Sequence, residues 1–283
     1  MPDGVCGTLI EQRMSVSSIL ARCKGRYQRT ASGRLGRREF RMRNQAPLIS
    51  FTFDDFPASA FSNGGRILEE HGVAGTYYTS LGLMGQIAPA GKIFEREDLA
   101  LVLERGHELG CHTFDHCHAY DTPAREFEAS IVRNRSTLEA LLPGACFNTL
   151  SYPIGCPRPG SKIRSARYFA GCRAGGQRAN RGTIDLNQLS AYFIEQSRDH
   201  PKAIGDMIKA NHDAGAWLIF ATHDVCEEPT RYGCTLEMFE EIVRQSVASG
   251  ARVIPVSAAL AEIGANGFVD AGCERKNPST LVP

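Results

Sequence analysis

No stretch of this chain approaches the roughly 20 consecutive apolar residues that a membrane-spanning helix needs, and its ten cysteines include no Cys-x-x-Cys pair. The first absence excludes a helical membrane span. The second leaves little case for thiolate metal ligands, and ten cysteines in 283 residues fall short of a disulfide scaffold. They read mostly as reduced, buried thiols. Net charge is scarce as well: a formal +1 gives no electrostatic argument for binding nucleic acid or an acidic polymer. A secretory signal needs a 7–15-residue apolar run after a basic start, and the best early run, Val16-Ser-Ser-Ile-Leu-Ala21, is too short and too polar. A cytoplasmic location is therefore expected. No internal repeat or low-complexity tract is present.

What the chain does have is apolar content, 42% of its residues. A chain of this length should bury about 75% of its unfolded surface, which suits one large domain. Charge is uneven only near the start, where ten basic residues from Arg13 to Arg43 face Glu39 alone. Residues 1–45 read as a solvated basic leader. Peripheral contact with an anionic membrane surface, or with a phosphorylated substrate, is its functional alternative. The domain proper is expected over 46–264, with an irregular tail over 265–283.

Within the domain, strand patterns alternate with helical ones. Pro47–Phe53, Val73–Thr79, Gly106–His112, Cys146–Tyr152, Phe169–Arg173, Trp217–His223 and Arg252–Val256 read as strands. Helical patterns fall at 58–70, 96–104, 123–142, 163–168, 201–214, 236–249 and 257–263. This order favours parallel strands joined by crossover helices, and about seven units close economically into a barrel. Active sites of such barrels lie at the strand C-termini. That is where the polar residues fall: Asp54 and Asp55 after the first strand, His112 and His116 after the third, His223 after a later one. One carboxylate and two imidazoles can hold a divalent ion, and an adjacent carboxylate can then take a proton from an activated water.

These motifs resemble those of the polysaccharide deacetylase family, which includes chitooligosaccharide and peptidoglycan deacetylases. The resemblance runs from about Pro47 to Ile263 and rests on Thr52-Phe-Asp-Asp55, His112-Thr-Phe-Asp-His116, Tyr152-Pro153-Ile-Gly155 and the strand ending in His223. It implies an α/β fold, a distorted (β/α)7-type barrel in a single domain. It also implies a divalent metal, zinc in first place, and removal of acetyl groups from an N-acetylated carbohydrate. By motif position Asp55, His112 and His116 would be metal ligands, Asp54 the general base and His223 the general acid. Ile154, through its backbone N–H, and Tyr152 would serve the oxyanion and substrate.

Three positions depart from the common pattern: Ser151 replaces an arginine that steadies the base, Ile154 an aromatic residue, and Ala221 a leucine. Arg173, at the end of the next strand, is expected to supply the missing guanidinium to Asp54. Asp185 is the candidate for the acidic residue that orients His223, with Asp224 its rival. Two alternatives stand beside the deacetylase: a non-catalytic carbohydrate-binding barrel, and a cyclic-amide hydrolase of the same fold.

Overall fold

The structure, a computed structural model, describes residues 16–200 and 202–265. The start of the expected leader and the expected tail beyond residue 265 lie outside the described residues. Seven parallel strands close into a barrel in chain order: β1 (Leu48–Phe53), β2 (Thr76–Thr79), β3 (Glu108–Cys111), β4 (Thr149–Ser151), β5 (Gly171–Gly175), β6 (Leu189–Phe193) and β7 (Trp217–Thr222). Strand β7 returns to β1 and pairs along its full length, from Trp217 opposite Leu48 to Thr222 opposite Phe53. The helices are α1 (Val16–Arg34), α2 (Arg66–Glu70), α3 (Arg96–Glu104), α4 (Ala124–Leu141), α5 (Pro159–Ser165), α6 (Lys202–Asp213), α7 (Leu236–Ala248) and α8 (Val256–Glu262). The chain thus forms the expected (β/α)7-type barrel. Among the described residues no helix is long and apolar enough to cross a membrane.

The barrel is distorted at two places. A two-residue strand, β8 (Arg252–Val253), wedges beside the start of β1, so β2 meets β1 only at Thr52 and Phe53. Between β5 and β6 the connection carries no helix but a short strand, Thr183–Asp185, antiparallel to Glu39–Arg41. Strand β6 itself is missing from the strands expected from sequence. Leu-Ser-Ala-Tyr-Phe is short and rich in small residues, and it becomes a strand through its pairing with β5 and β7. The helix expected at 163–168 starts earlier because Pro159 occupies its first turn, where a missing N–H costs nothing. Helix α3 opens on a capping box between Glu95 and Asp98, and the Thr235 hydroxyl accepts from Met238 N to start α7.

Strand side chains alternate between faces, and two apolar layers result. Ile49, Phe51 and Phe53 face outward into the helix layer, where Phe51 packs on Phe220 and Phe239 with ring centroids 5.4 and 5.5 Å apart. Leu48 joins Leu189, Ala191, Trp217, Ile219 and Ala221 in the interior, closed below by Val256, Ala259 and Leu260 of α8. Glu108 is a buried acidic residue of this interior. It accepts from Thr76 Oγ1 (2.9 Å), Thr149 Oγ1 (2.7 Å) and Ser257 N (2.8 Å), tying two strands to the closing helix. Burial outweighs these donors and raises its carboxyl above the ordinary range. The inward set of β1 runs Leu48, Ser50, Thr52, so the next member is Asp54.

The segment ahead of the barrel is anchored to it from Ala31 onward, where the chain becomes buried. The Arg38 guanidinium donates to Phe169 O (3.0 Å) and Ala170 O (2.8 Å). Lys162, fully buried, donates to Ser32 O (2.7 Å), Asp185 Oδ2 (2.7 Å) and Gln188 Oε1 (3.0 Å). One ammonium therefore joins α1, α5 and the β5–β6 connection. Removing it strands the largely buried Asp185 carboxylate, a loss of roughly 3–5 kcal/mol for a broken buried pair. Lys162→Ala is expected to lower the thermal unfolding midpoint by several degrees, measured by circular dichroism, whereas Lys209→Ala, whose pair with Asp213 is exposed, leaves it nearly unchanged.

Candidate active site

The two aspartates leave β1 through a tight turn in which Asp55 (φ 61°) and Phe56 (φ 52°) are both left-handed. Such backbone costs about 1 kcal/mol or more per non-glycine residue. Phe56 holds it in place: its ring stacks on Phe94 at 4.7 Å and meets Tyr77 at 4.9 Å, and its carbonyl accepts from Phe94 N at 3.1 Å. Thr113, His116 and Ile154 are left-handed as well, so the unusual backbone concentrates around one rim. The His112–His116 turn is pinned to α4. Phe114 N donates to Ser130 O (3.2 Å), and Ser130 Oγ donates to Asp115 Oδ2 (2.8 Å). Asp115 therefore braces the loop between the two histidines.

Asp55 Oδ1 lies 3.4 Å from His112 Nε2 and 3.0 Å from His116 Nε2, and one atom from each of the three residues falls within 4.8 Å of the others. His112 Nδ1 lies 2.8 Å from Ser151 O. A carbonyl only accepts, so Nδ1 carries the proton and Nε2 turns a lone pair toward Asp55. Among the described residues the buried Asp55 Oδ1 has no hydrogen-bond donor. Lone pairs converging in a buried site are satisfied by a cation. The donor set, two imidazoles and a carboxylate, suits a divalent transition ion, with the His112 tautomer fixed by the Ser151 carbonyl behind it.

Asp54 has a different partner. Arg173, 1% exposed, hydrogen-bonds Asp54 Oδ1 through Nη2, and the same nitrogen donates to Ser151 Oγ at 2.7 Å. Its guanidinium lies between the rings of Tyr78 and Phe193, 5.0 and 5.6 Å from their centroids. Arg173 and Ser151 are direct neighbours across the β4–β5 ladder. The small serine leaves room for the arginine of the adjacent strand. Burial pushes the Asp54 carboxyl up, but Arg173, His112 and His223 together outweigh it and hold it below the ordinary carboxylate range.

His223 follows β7 at the same rim, its Nδ1 3.2 Å from Tyr232 O. Asp54, Asp55, His112, His116, Ile154, Arg173 and His223 all line one open cavity of about 1590 Å³. That exceeds the 300–1,000 Å³ of a drug-sized site. Gln28 and Arg29 of α1 line it too. Ile154 presents an apolar side chain, 52% exposed, at its edge.

Two expectations require correction. Tyr152 does not offer its side chain to a substrate. Ser151 turns inward to Arg173, so by strand alternation Tyr152 turns outward, where its ring meets Phe127 of α4 at 6.0 Å. Burial, with Cys172 nearby, raises its hydroxyl well above the usual range. Asp185 does not orient His223. It sits on the outer short strand opposite Glu39 and is consumed by Lys162 Nζ, Arg38 N (2.9 Å) and Asn187 N (3.0 Å). Asp224 is also occupied elsewhere, accepting from Thr230 N at 2.7 Å. Ala221 lies fully buried in the barrel interior.

One acidic residue of the cavity was not anticipated. Glu195, on the turn after β6, is pushed up to about 7 by burial first and by Asp54 second. An acidic residue just past a strand is the signal that would have found it, and it stayed hidden because β6 was not read as a strand.

Fold and rim together define a (β/α)7 barrel with a hydrolase-type carboxylate and imidazole set. Residues 41–170 match the sequence model of the polysaccharide deacetylase family. Among solved structures, the Xyl-CE4 domain of a xylanase from the hindgut metagenome of Trinervitermes trinervoides aligns with a TM-score of 0.56 and 16% identity, over 80% of this chain and 96% of that one. The peptidoglycan deacetylase PdaC from Bacillus subtilis aligns with a TM-score of 0.50 and 18% identity, over 77% and 92%. A CE4 family pseudoenzyme from Bacillus anthracis aligns with a TM-score of 0.54 and 14% identity, over 79% and 68%. At these identities the likeness is one of fold. None of the curated proteins compared with the sequence matches it.

Titration of Zn²⁺ into metal-stripped protein, followed by calorimetry, is expected to show one-to-one binding. His112→Ala and Asp55→Ala should abolish it, and Asp54→Asn should retain it.

Proposed function

We propose that this chain is a divalent-metal-dependent hydrolase that removes acetyl groups from an N-acetylated sugar of an oligosaccharide, a polysaccharide precursor or a glycolipid. The observation that carries the reading is the division of labour between two adjacent aspartates. Asp55 turns a donor-less oxygen to two imidazole nitrogens, while Asp54 is engaged by a buried guanidinium. Asp55, His112 and His116 would hold the ion, zinc in first place, and when bound it supplies Lewis acidity and an acidified water.

The protein's own groups account for the proton movements. An amide is a poor electrophile with a poor leaving group, so hydrolysis needs an activated water, a stabilised oxyanion and a proton for nitrogen. Asp54, kept ionised by Arg173, accepts the proton of the attacking water. The Ile154 N–H donates to the developing oxyanion. His223, its Nδ1–H donated to a carbonyl, acts from the doubly protonated ring: it delivers the Nε2 proton to the leaving amine and is left as the neutral Nδ1–H form. Retention of both carboxylates, both imidazoles and His223 at one rim weighs against a non-catalytic barrel.

Zinc-loaded protein is expected to release acetate from N-acetylglucosamine oligomers and to stop on chelation; no release under metal-replete conditions would refute this function. In Arg173→Ala the largest influence on Asp54, burial, loses its chief opponent, so the carboxyl titrates higher. The acidic limb of kcat/KM then moves to higher pH, and kcat falls by about 10- to 100-fold. An unmoved acidic limb with unchanged acetate release would show that Arg173 does not serve the base.

A further inference from the structure

We infer that the loop from Asp224 to Cys234 is a positioning device that fixes the proton of His223, with Asp224, Thr230 and Arg198 as its positioning residues. This rests on the reading of His223 as the proton donor. His223 Nδ1 lies 3.2 Å from Tyr232 O, and the two rings are 5.4 Å apart. Because a carbonyl only accepts, the contact places the neutral ring's proton on Nδ1 and frees Nε2. An imidazole in water favours the opposite form, so the loop must hold this tautomer against its preference. In the family pattern an acidic side chain orients the histidine. Here the partner is a main-chain oxygen, and its placement depends on how rigidly the loop is held.

Three sets of contacts hold it. The Asp224 carboxylate, 3% exposed, accepts from Thr230 N (2.7 Å) and Thr230 Oγ1 (2.6 Å). Thr230 Oγ1 in turn accepts from Tyr232 N at 3.2 Å, so the acid reaches the very residue whose carbonyl meets His223. Arg198, just past the turn that follows β6, donates to Thr230 O and Gly233 O, the carbonyls on either side of residues 231 and 232. Finally Cys234 N donates to Asp224 O at 3.0 Å, and the chain packs so closely there that a Cβ on Gly233 would lie 2.2 Å from that same oxygen. In this loop conformation residue 233 therefore has to be glycine.

The test uses the full-length, zinc-loaded protein with ¹⁵N-labelled histidine, the His223 ring signals being assigned by their loss in His223→Gln. The wild-type ring is expected to carry its proton on Nδ1. Thr230→Val, which cuts the link from Asp224 to Tyr232 N, should shift the ring toward the Nε2–H form. It should also lower kcat for acetate release from N-acetylglucosamine oligomers by about tenfold or more, within the general-acid range, with KM changed by less than about twofold. Thr230→Ser should restore both. Arg198→Ala, an exposed change, gives a second route to the same shift should the threonine variant unfold. A wild-type Nε2–H tautomer, or an unmoved tautomer in both variants, overturns the inference. An Nδ1–H ring that responds to Thr230→Val in a protein releasing no acetate would support the positioning and refute the deacetylase reading.

Discussion

Two consecutive buried carboxylates cannot both stay ionised unless each has its own positive partner, because desolvation and mutual repulsion both favour protonation. The rim of this barrel is organised around that constraint. Asp54 and Asp55 leave the same strand, yet the left-handed turn at residues 55 and 56 sends them to different partners. One meets a guanidinium already present in the fold. The other meets only imidazole nitrogens, a donor set that suits a cation.

Ser151 lets the two arrangements coexist. Its carbonyl fixes the proton on His112, and its hydroxyl accepts from Arg173. The same short strand therefore serves both the Asp55–imidazole side and the Asp54–guanidinium side of the site. Closure of the barrel completes the set: full-length pairing of β7 with β1 puts His223, one residue past Thr222, level with Asp54, one residue past Phe53. The strained turns are affordable because aromatic packing and the Ser130–Asp115 brace hold them from behind.

Much of this was legible in the sequence. The strands that end on polar clusters are apolar and well bounded, and the spacing of Asp54, Asp55, His112 and His116 places them at successive strand ends. Arg173 was legible for the same reason, lying one strand beyond the serine where an arginine is expected. What escaped is of a different kind. Which face a residue takes depends on strand parity, which turned Tyr152 outward. Which carboxylate remains available depends on distant partners, which consumed Asp185 in binding Lys162. A strand as bland as Leu189–Phe193 exists because of its two neighbours, and Glu195 was overlooked with it. The match to the deacetylase family ends at residue 170, and Arg173, Glu195 and His223 all lie beyond that point.

The exchange between Ser151 and Arg173 reaches further than this molecule. In a parallel ladder, residues directly opposite each other on neighbouring strands are interchangeable donors to a point above them, so a charge can migrate sideways by one strand and still arrive at the same atom. Column-by-column comparison registers such a migration as a loss. The guanidinium at this rim is better described by the volume of space it occupies than by the alignment column it comes from.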